Sequence, residues 1–223
     1  MSLAVEDEAA ARAELPLSEQ AYRHLRDQLI MLEIRPGEAI NDSALAATLG
    51  IGRTPVREAL KRLESDHLVV SYPRRGTFAT RVDITELADI SEIRELLEPL
   101  AARRAARTAT AGLRSRLREL AGDIAVSGPG GPDQLSLMRY DIMVHRQIYA
   151  AAANPHLEDV LIRYDNLATR IWCLVLDKIP SVAGHIIEHV DLLNAIADGD
   201  AELAGRLALE HVTSFEKTIR SVL

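Results

Sequence analysis

The apolar positions of the chain change rhythm twice. From Leu17 to Ile34, "LSEQAYRHLRDQLIMLEI", residues Ala21, Leu25, Leu29 and Leu32 recur at helical spacing, with Ser18 placed as the N-cap. Pro36 and Gly37 end that helix. A shorter one follows in "INDSALAATLG", capped by Asn41 or Asp42 and stopped by Gly50 in a left-handed conformation. A third is predicted from Arg53 to about Asp66, with Val56, Ala59, Leu60 and Leu63 on its inner side. Pro55 is tolerated in its first turn, where the N–H groups have no intrahelical acceptor. Then the rhythm shortens: "LVVSY", "PRRG" and "TFAT" read as strand, turn and strand. After an Asp-x-x-Glu start signal at Asp83 and Glu86 the helical period returns and persists to the end. It divides into six segments, at about 84–109, 112–126, 133–153, 156–178, 181–198 and 200–221. "SGPGGPD" separates the second from the third, and Gly199–Asp200 the last two. Leu87, Ile90, Arg94, Leu97 and Leu100 share one face of the first.

The predicted fold is mainly α: an N-terminal winged helix-turn-helix, then a C-terminal all-helical bundle of about six helices. The expected divisions are a disordered tail over 1–16, the winged unit over 17–80 and the bundle over 81–223. Composition agrees, since 48% of residues are apolar and only 4% aromatic. The single Cys173, in "IWCLVL", excludes an internal disulfide and suits a reducing compartment. No apolar run reaches the roughly 20 residues needed to span a bilayer, and the acidic start lacks a signal peptide's pattern. A cytoplasmic protein with no membrane partner is expected.

Charge modifies this picture. The chain has net charge −7, yet residues 17–80 hold nine Lys/Arg against eight Asp/Glu. Within that near-neutral segment Arg53, Arg57 and Lys61 recur every four residues, making a positive stripe on the third helix. The stripe starts at a helix N-terminus, which itself attracts phosphate. Arg74 and Arg75 form a second positive feature at the hairpin tip, beside Gly76. Two such features on one small unit point to DNA.

The segment "IRPGEAINDSALAATLGIGRTPVREALKRLESDHLVVSYPRRGTFAT" resembles the DNA-binding domain of GntR-type bacterial transcriptional regulators along its whole length. The resemblance implies a third helix in the major groove and a wing in the minor groove. It implies base and phosphate contacts from Arg53, Thr54 and Arg57, with Lys61 on the same stripe, and a wing contact from Arg75 and Gly76. Gly52, Ser43 and His67 depart from that family's pattern: a weaker helix cap, one contact replaced, and a left-handed position without glycine.

In the bundle, Asp141 and His145 lie four apart in "DIMVH", and His189 and His211 fall in the fifth and sixth helices. Facing helices can converge such side chains, and three imidazoles with a carboxylate suit a divalent ion: Zn²⁺ first, Ni²⁺ or Mn²⁺ as alternatives. From spacing alone, ordinary core or surface histidines are the more frequent reading. The segments "IRELLEPLAARRAA", "DIMVHRQIYAAAANPHL" and "EHVDLLNAIADGDAELAGRLALEHV" are similar to the FCD effector domain of FadR-type GntR regulators. Six helices resemble its VanR-like subgroup. That resemblance implies a metal held by Asp141, His145, His189 and His211, with His185 outside the set as second shell or surface. It also implies a small carboxylic acid effector, oriented by Arg94 first and by Arg163 or Arg170 second. Tyr164 and Trp172 are candidate pocket walls or plain core.

The expected protein is a homodimeric regulator, a repressor by preference, reading a palindromic double-stranded operator under control of that acid. A metalloregulator answering to the ion alone is the alternative, and a metal-dependent hydrolase a remoter one. No HExxH motif and no evident general base accompany the ligands, so an enzyme is not expected.

Overall fold

The computed structural model describes residues 15–127 and 133–223; residues 1–14 of the predicted tail and most of the "SGPGGPD" separator lie outside them. The chain divides into two compact units that part between Val82 and Asp83.

In the first unit, α1 (Leu17–Ile30), α2 (Asp42–Leu49) and α3 (Arg53–Ser65) are followed by a hairpin. Pro16, not Ser18, takes the N-cap place of α1, and no side chain caps it. Leu32 lies beyond that helix with φ +56°. Asn41 caps α2 by accepting from the N–H groups of Ser43 and Ala44, both at 3.0 Å. Gly50 ends it with φ +65°, letting the Ile51 N–H reach the Ala46 carbonyl at 3.0 Å. Gly52 precedes α3 without a side-chain cap. His67 does adopt the left-handed conformation, φ +61°, and the Leu68 N–H then bonds the Leu63 carbonyl at 2.9 Å.

Strands β2 (Val69–Tyr72) and β3 (Gly76–Ala79) form the hairpin, with Val69 opposite Ala79 and Tyr72 opposite Gly76. A two-residue strand, β1 (Ala39–Ile40), pairs antiparallel with β3 and completes a sheet of order β1-β3-β2. The alternation did not predict β1, which is too short to show a period. Leu25, Leu29, Val56, Ala59, Leu63 and Leu68 are fully buried and make the core.

The second unit is helical throughout its described residues. A 3₁₀ turn (Ile84–Glu86), capped by Asp83 on the Thr85 N–H, leads into α4 (Leu87–Thr108). Then follow α5 (Ala111–Ser127), α6 (Gln134–Ala151), α7 (Pro155–Val175), α8 (Ala183–Asp198) and α9 (Ala201–Ser221). Asp133, Asn154 and Asp200 cap α6, α7 and α9. The central helix α4 packs along α9 and against α6, α7 and α8. Its buried side runs through Leu87, Ile90, Arg94, Glu98, Ala101, Ala102 and Ala105. Leu100, expected there, is 44% exposed, because the buried stripe drifts around the helix from Arg94 to the alanines. Arg114 of α5 donates to the carbonyls of Ala106 and Ala197, both at 2.8 Å, tying the C-terminal turns of α4 and α8 together. Among the described residues no helix is long and apolar enough to cross a membrane.

Candidate nucleic-acid interface and metal centre

On the first unit, Arg53, Thr54, Arg57 and Lys61 are all exposed along α3, as are Arg74, Arg75 and Gly76 at the hairpin. The turn is tight: the Arg75 N–H bonds the Tyr72 carbonyl at 3.1 Å, Arg74 has φ +63° and Gly76 φ +98°. A side chain at Gly76 would be strained by that φ, which favours glycine at the tip. The sequence reading missed Asp42. Its carboxylate accepts from Arg57 Nε at 2.7 Å and from Arg53 NH2 at 3.2 Å. Hydrogen bonding from Arg57, then Arg53, holds that carboxyl below its ordinary range. Two cations of the stripe thus share one anion at the start of α2, while their side chains stay 55% and 60% exposed.

The second unit gathers the predicted metal set. Asp141 and His145 project from one face of α6, His189 from α8 and His211 from α9, and all four are buried. Their donor atoms lie within 4.8 Å of one another. His145 Nε2 is 3.2 Å from His211 Nε2 and 3.3 Å from His189 Nε2. Asp141 Oδ1 stands 3.7 Å from His189 Nε2 and 3.9 Å from His145 Nε2, buried and without a hydrogen-bond partner.

The other ring nitrogens explain this convergence. His189 Nδ1 donates to the Ile186 carbonyl at 3.2 Å, and His211 Nδ1 to Glu188 Oε2 at 2.9 Å. His145 Nδ1 faces the Tyr149 hydroxyl at 3.0 Å and Glu98 Oε2 at 3.3 Å. With Nδ1 carrying the hydrogen, each neutral ring turns a bare Nε2 lone pair inward. Burial pushes His189 down to about 3 and His211 well below the usual range, so both are neutral. Burial opposes charge on His145 too, but Glu98 and Asp141 outweigh it and raise it to about 9. Three lone pairs and a carboxylate oxygen at such separations need a positive charge between them, and a proton on His145 or a divalent ion can supply it. An ion about 2.0–2.1 Å from two imidazole nitrogens in tetrahedral array separates them by about 3.3 Å, which matches the Nε2 spacings. The residues fit a borderline divalent ion.

A second ring of charge surrounds the donors. Arg94, 3% exposed, donates from Nε to Glu98 Oε1 at 2.6 Å, has NH2 3.6 Å from Asp165 Oδ1, and lies over the Phe215 ring. Burial pushes the Glu98 carboxyl up, but Arg94 and His145 overcome it and hold it at about 2. For Asp165 burial prevails, and its carboxyl is raised. Glu188, 37% exposed, also accepts from Ser214 at 3.0 Å, so it joins the His211 ring to the surface. His185 is not a surface residue: it is 8% exposed, with Nε2 3.8 Å from Asp141 Oδ1. Trp172 is fully buried and packs on His185 and Phe215, whereas Tyr164 is half-buried.

The structure brings Arg94 beside the donor set; Arg170 is buried on α7, where burial lowers it to about 10 against the opposing charge of Glu86. Arg163, half-buried, lies on the same face of α7 as Arg170. Glu98, Tyr149, Asp165 and Glu188 were not identified from sequence, although Glu98 and Tyr149 stand four residues after Arg94 and His145 and Glu188 precedes His189; Asp165 comes from α7, which carries none of the four donors, and no local period marks that contact.

Both units match known families. Residues 17–79 match the model of the bacterial regulatory proteins of the gntR family, and residues 89–214 match the FCD domain. Over 209 residues the chain is 23% identical to the HTH-type transcriptional repressor RspR of Escherichia coli, covering 93% of this chain and 90% of that protein. It is 28% identical to the Nta operon transcriptional regulator of Aminobacter aminovorans, over 82% of this chain and 85% of that one. The solved structure of E. coli McbR/YncC superposes with a TM-score of 0.80 at 24% identity, covering 93% and 98% of the two chains. A GntR regulator structure from Rhodococcus sp. RHA1 superposes with a TM-score of 0.70 at 21% identity, covering 92% and 98%. These two likenesses concern the fold.

Proposed function

The chain belongs to the gntR family of bacterial regulatory proteins and carries an FCD domain, and on that premise we propose that it is a homodimeric repressor gated by a small organic acid at a metal centre. DNA binding and transcriptional regulation follow from the family. The repressor sign is supported by the printed role of RspR. Its operator is a palindrome, because two recognition helices of a dimer read half-sites about one helical turn apart. Arg53, Thr54, Arg57 and Lys61 face bases and phosphates, and Arg75 with Gly76 enters the minor groove. We place the chain in the VanR-like subgroup on its six-helix bundle.

The observation that carries the metal reading is the convergence of three Nε2 atoms on an otherwise unpartnered Asp141 Oδ1. Asp141, His145, His189 and His211 hold the ion, Zn²⁺ first and Ni²⁺ or Mn²⁺ next. When bound, the ion supplies a Lewis-acidic anchor for a carboxylate. Glu188 and the Ile186 carbonyl fix the histidine tautomers, and Arg94 brings the nearest buried guanidinium to the anion. Arg163 and Arg170, both on α7, have weaker claims as clamps. The site is a sensor rather than a catalyst. The acid acts by binding the DNA-competent and DNA-incompetent arrangements with different affinity.

A thermal-shift screen of metal-loaded and chelated protein against small carboxylic acids tests this. A ligand at 100 times its dissociation constant adds about 2.7 kcal/mol of stability. Shifts that require metal support the proposal. Burial of all four donors favours a second reading, in which the ion itself is the signal. In that case no acid shifts the protein, while DNA affinity follows free metal.

A further inference from the structure

Of the side chains around the donor set, His185 has the least evident purpose. It is 8% exposed, and its buried Nδ1 has no hydrogen-bond partner, although Glu188 Oε2 lies 3.4 Å away. Its polar neighbours are loose: Glu188 Oε2 is 3.4 Å from Nδ1 and Asp141 Oδ1 is 3.8 Å from Nε2, both longer than an ordinary hydrogen bond. Aromatic faces enclose it. On one side the His211 ring is 4.0 Å away, centroid to centroid, and tilted by 17°. On the other the Trp172 ring is 4.7 Å away and tilted by 30°. Phe215 closes the edge at 5.9 Å.

The stacking also excludes His185 as a regular companion ligand of His211. Two imidazoles on one ion each point a ring nitrogen in-plane at the metal, so nearly parallel rings stacked face to face cannot both do so. What His185 occupies is a slot one aromatic ring thick, and Nε2 marks the slot's inner end, 3.8 Å from Asp141 Oδ1. A ring seated there with a carboxylate at that end would present its oxygens to the donor set.

His185 also sits where it can leave. It is the third residue of α8, whose first N–H, that of Ala183, bonds the Ser181 hydroxyl at 3.2 Å, while the N-cap residue Val182 makes no side-chain cap bond. Gly184 beside it has open space around the position of a Cβ. Re-seating this first turn leaves the later turns of the helix in place.

We propose that His185 is a displaceable plug in the effector's own seat, and that the effector is a flat, ring-bearing carboxylic acid which replaces the imidazole between Trp172 and His211. This rests on the metal-anchored reading above and adds to it the ligand's shape and a self-occupied resting state. Plug and acid compete for one slot, so the apparent affinity is the intrinsic affinity multiplied by the unplugged fraction.

Trp172 is the chain's only tryptophan, so its emission reports on the slot directly. The zinc-loaded full-length protein is titrated with benzoate, with cyclohexanecarboxylate as a puckered match, and with acetate as a carboxylate lacking a ring. Benzoate is expected to change Trp172 emission and to bind about tenfold or more tighter than the other two. His185→Ala should bind benzoate about tenfold tighter still, and His185→Phe, a permanent plug, should bind it at least tenfold more weakly. Both variants should retain one equivalent of zinc. Equal affinity for benzoate and cyclohexanecarboxylate would overturn the flat-ring requirement. Loss of zinc in His185→Ala, or weaker benzoate binding there, would make His185 a ligand or a contact and end the plug. If no acid of any shape affects zinc-loaded wild type, the effector reading itself falls and takes the plug with it.

Discussion

Two arginine–carboxylate pairs of nearly the same length sit in the two units. Arg57 Nε meets Asp42 at 2.7 Å with its side chain 60% exposed; Arg94 Nε meets Glu98 at 2.6 Å with its side chain 3% exposed. By distance they are equivalent, but their surroundings make them opposites. Water and salt screen the first, so its net worth is below about 1 kcal/mol and a phosphate can replace the carboxylate. The second is sealed among Asp165, Tyr149, His145 and Phe215, where separating the partners leaves an uncompensated buried charge. An exposed pair suits a surface that must exchange partners with DNA. A buried pair suits a centre that must hold a fixed geometry around an ion.

The largest test of that contrast is Arg94→Ala. It strands Glu98 without its main cation, takes a second cation from beside Asp165, and should cost about 3–5 kcal/mol in chemical denaturation. The double replacement Arg94→Met with Glu98→Gln should recover much of that loss, because it removes both charges. A loss below 1 kcal/mol for Arg94→Ala would mean the two pairs are equivalent after all.

Next in size is the hydrogen bond from His211 to Glu188. Glu188→Gln offers an amide where the carboxylate fixed the His211 tautomer, and metal affinity should fall about 10–100-fold in chelator competition. Ser214, bonded to the other oxygen of Glu188, is a milder handle. An unchanged metal dissociation constant would show that burial alone orients His211.

On the exposed side, Arg57→Ala should weaken binding to a duplex selected from a randomised pool by about 1–3 kcal/mol if Arg57 reads a base. Loss of a phosphate contact alone would instead lower affinity on all sequences and reduce the salt slope by about one. Folding stability should change by less than 0.5 kcal/mol or so. That is the reverse of Arg94, for the same chemical deletion.

The sequence made the frame of both sites legible and their partners illegible. Asn41 and Gly50 carried their cap roles openly, because capping is local chemistry. Asp141 and His145 could be placed on one helix face, since four residues return to the same side. The pairing of Asp42 with Arg57, fifteen residues on, depends on the crossing of α2 and α3, which no spacing reveals. Glu98, Asp165 and Glu188 are likewise ordinary acids on amphipathic helices until the bundle closes over them. Spacing leaves His185 open as a neighbour of the donor set or a surface residue, and the stacking of Trp172 and His211 on its ring decides for the buried place.

The smallest expected effect is also the most discriminating for the DNA surface. Asp42→Asn removes the anion shared by Arg53 and Arg57 and keeps its size, so folding should lose less than about 1 kcal/mol. If Asp42 only neutralises the stripe, its removal strengthens binding to selected and scrambled duplexes alike by the same few-fold factor. Asp42 also orients, however: holding Arg57 by Nε leaves both terminal nitrogens of that guanidinium for a guanine edge. The expected outcome is therefore unequal. Affinity for scrambled DNA should rise a few-fold while affinity for the selected duplex stays level or falls, so the ratio between them drops. Equal gains on both duplexes, measured at two salt concentrations, would reduce Asp42 to a counter-charge, and the exposed pair would then contribute nothing to sequence reading.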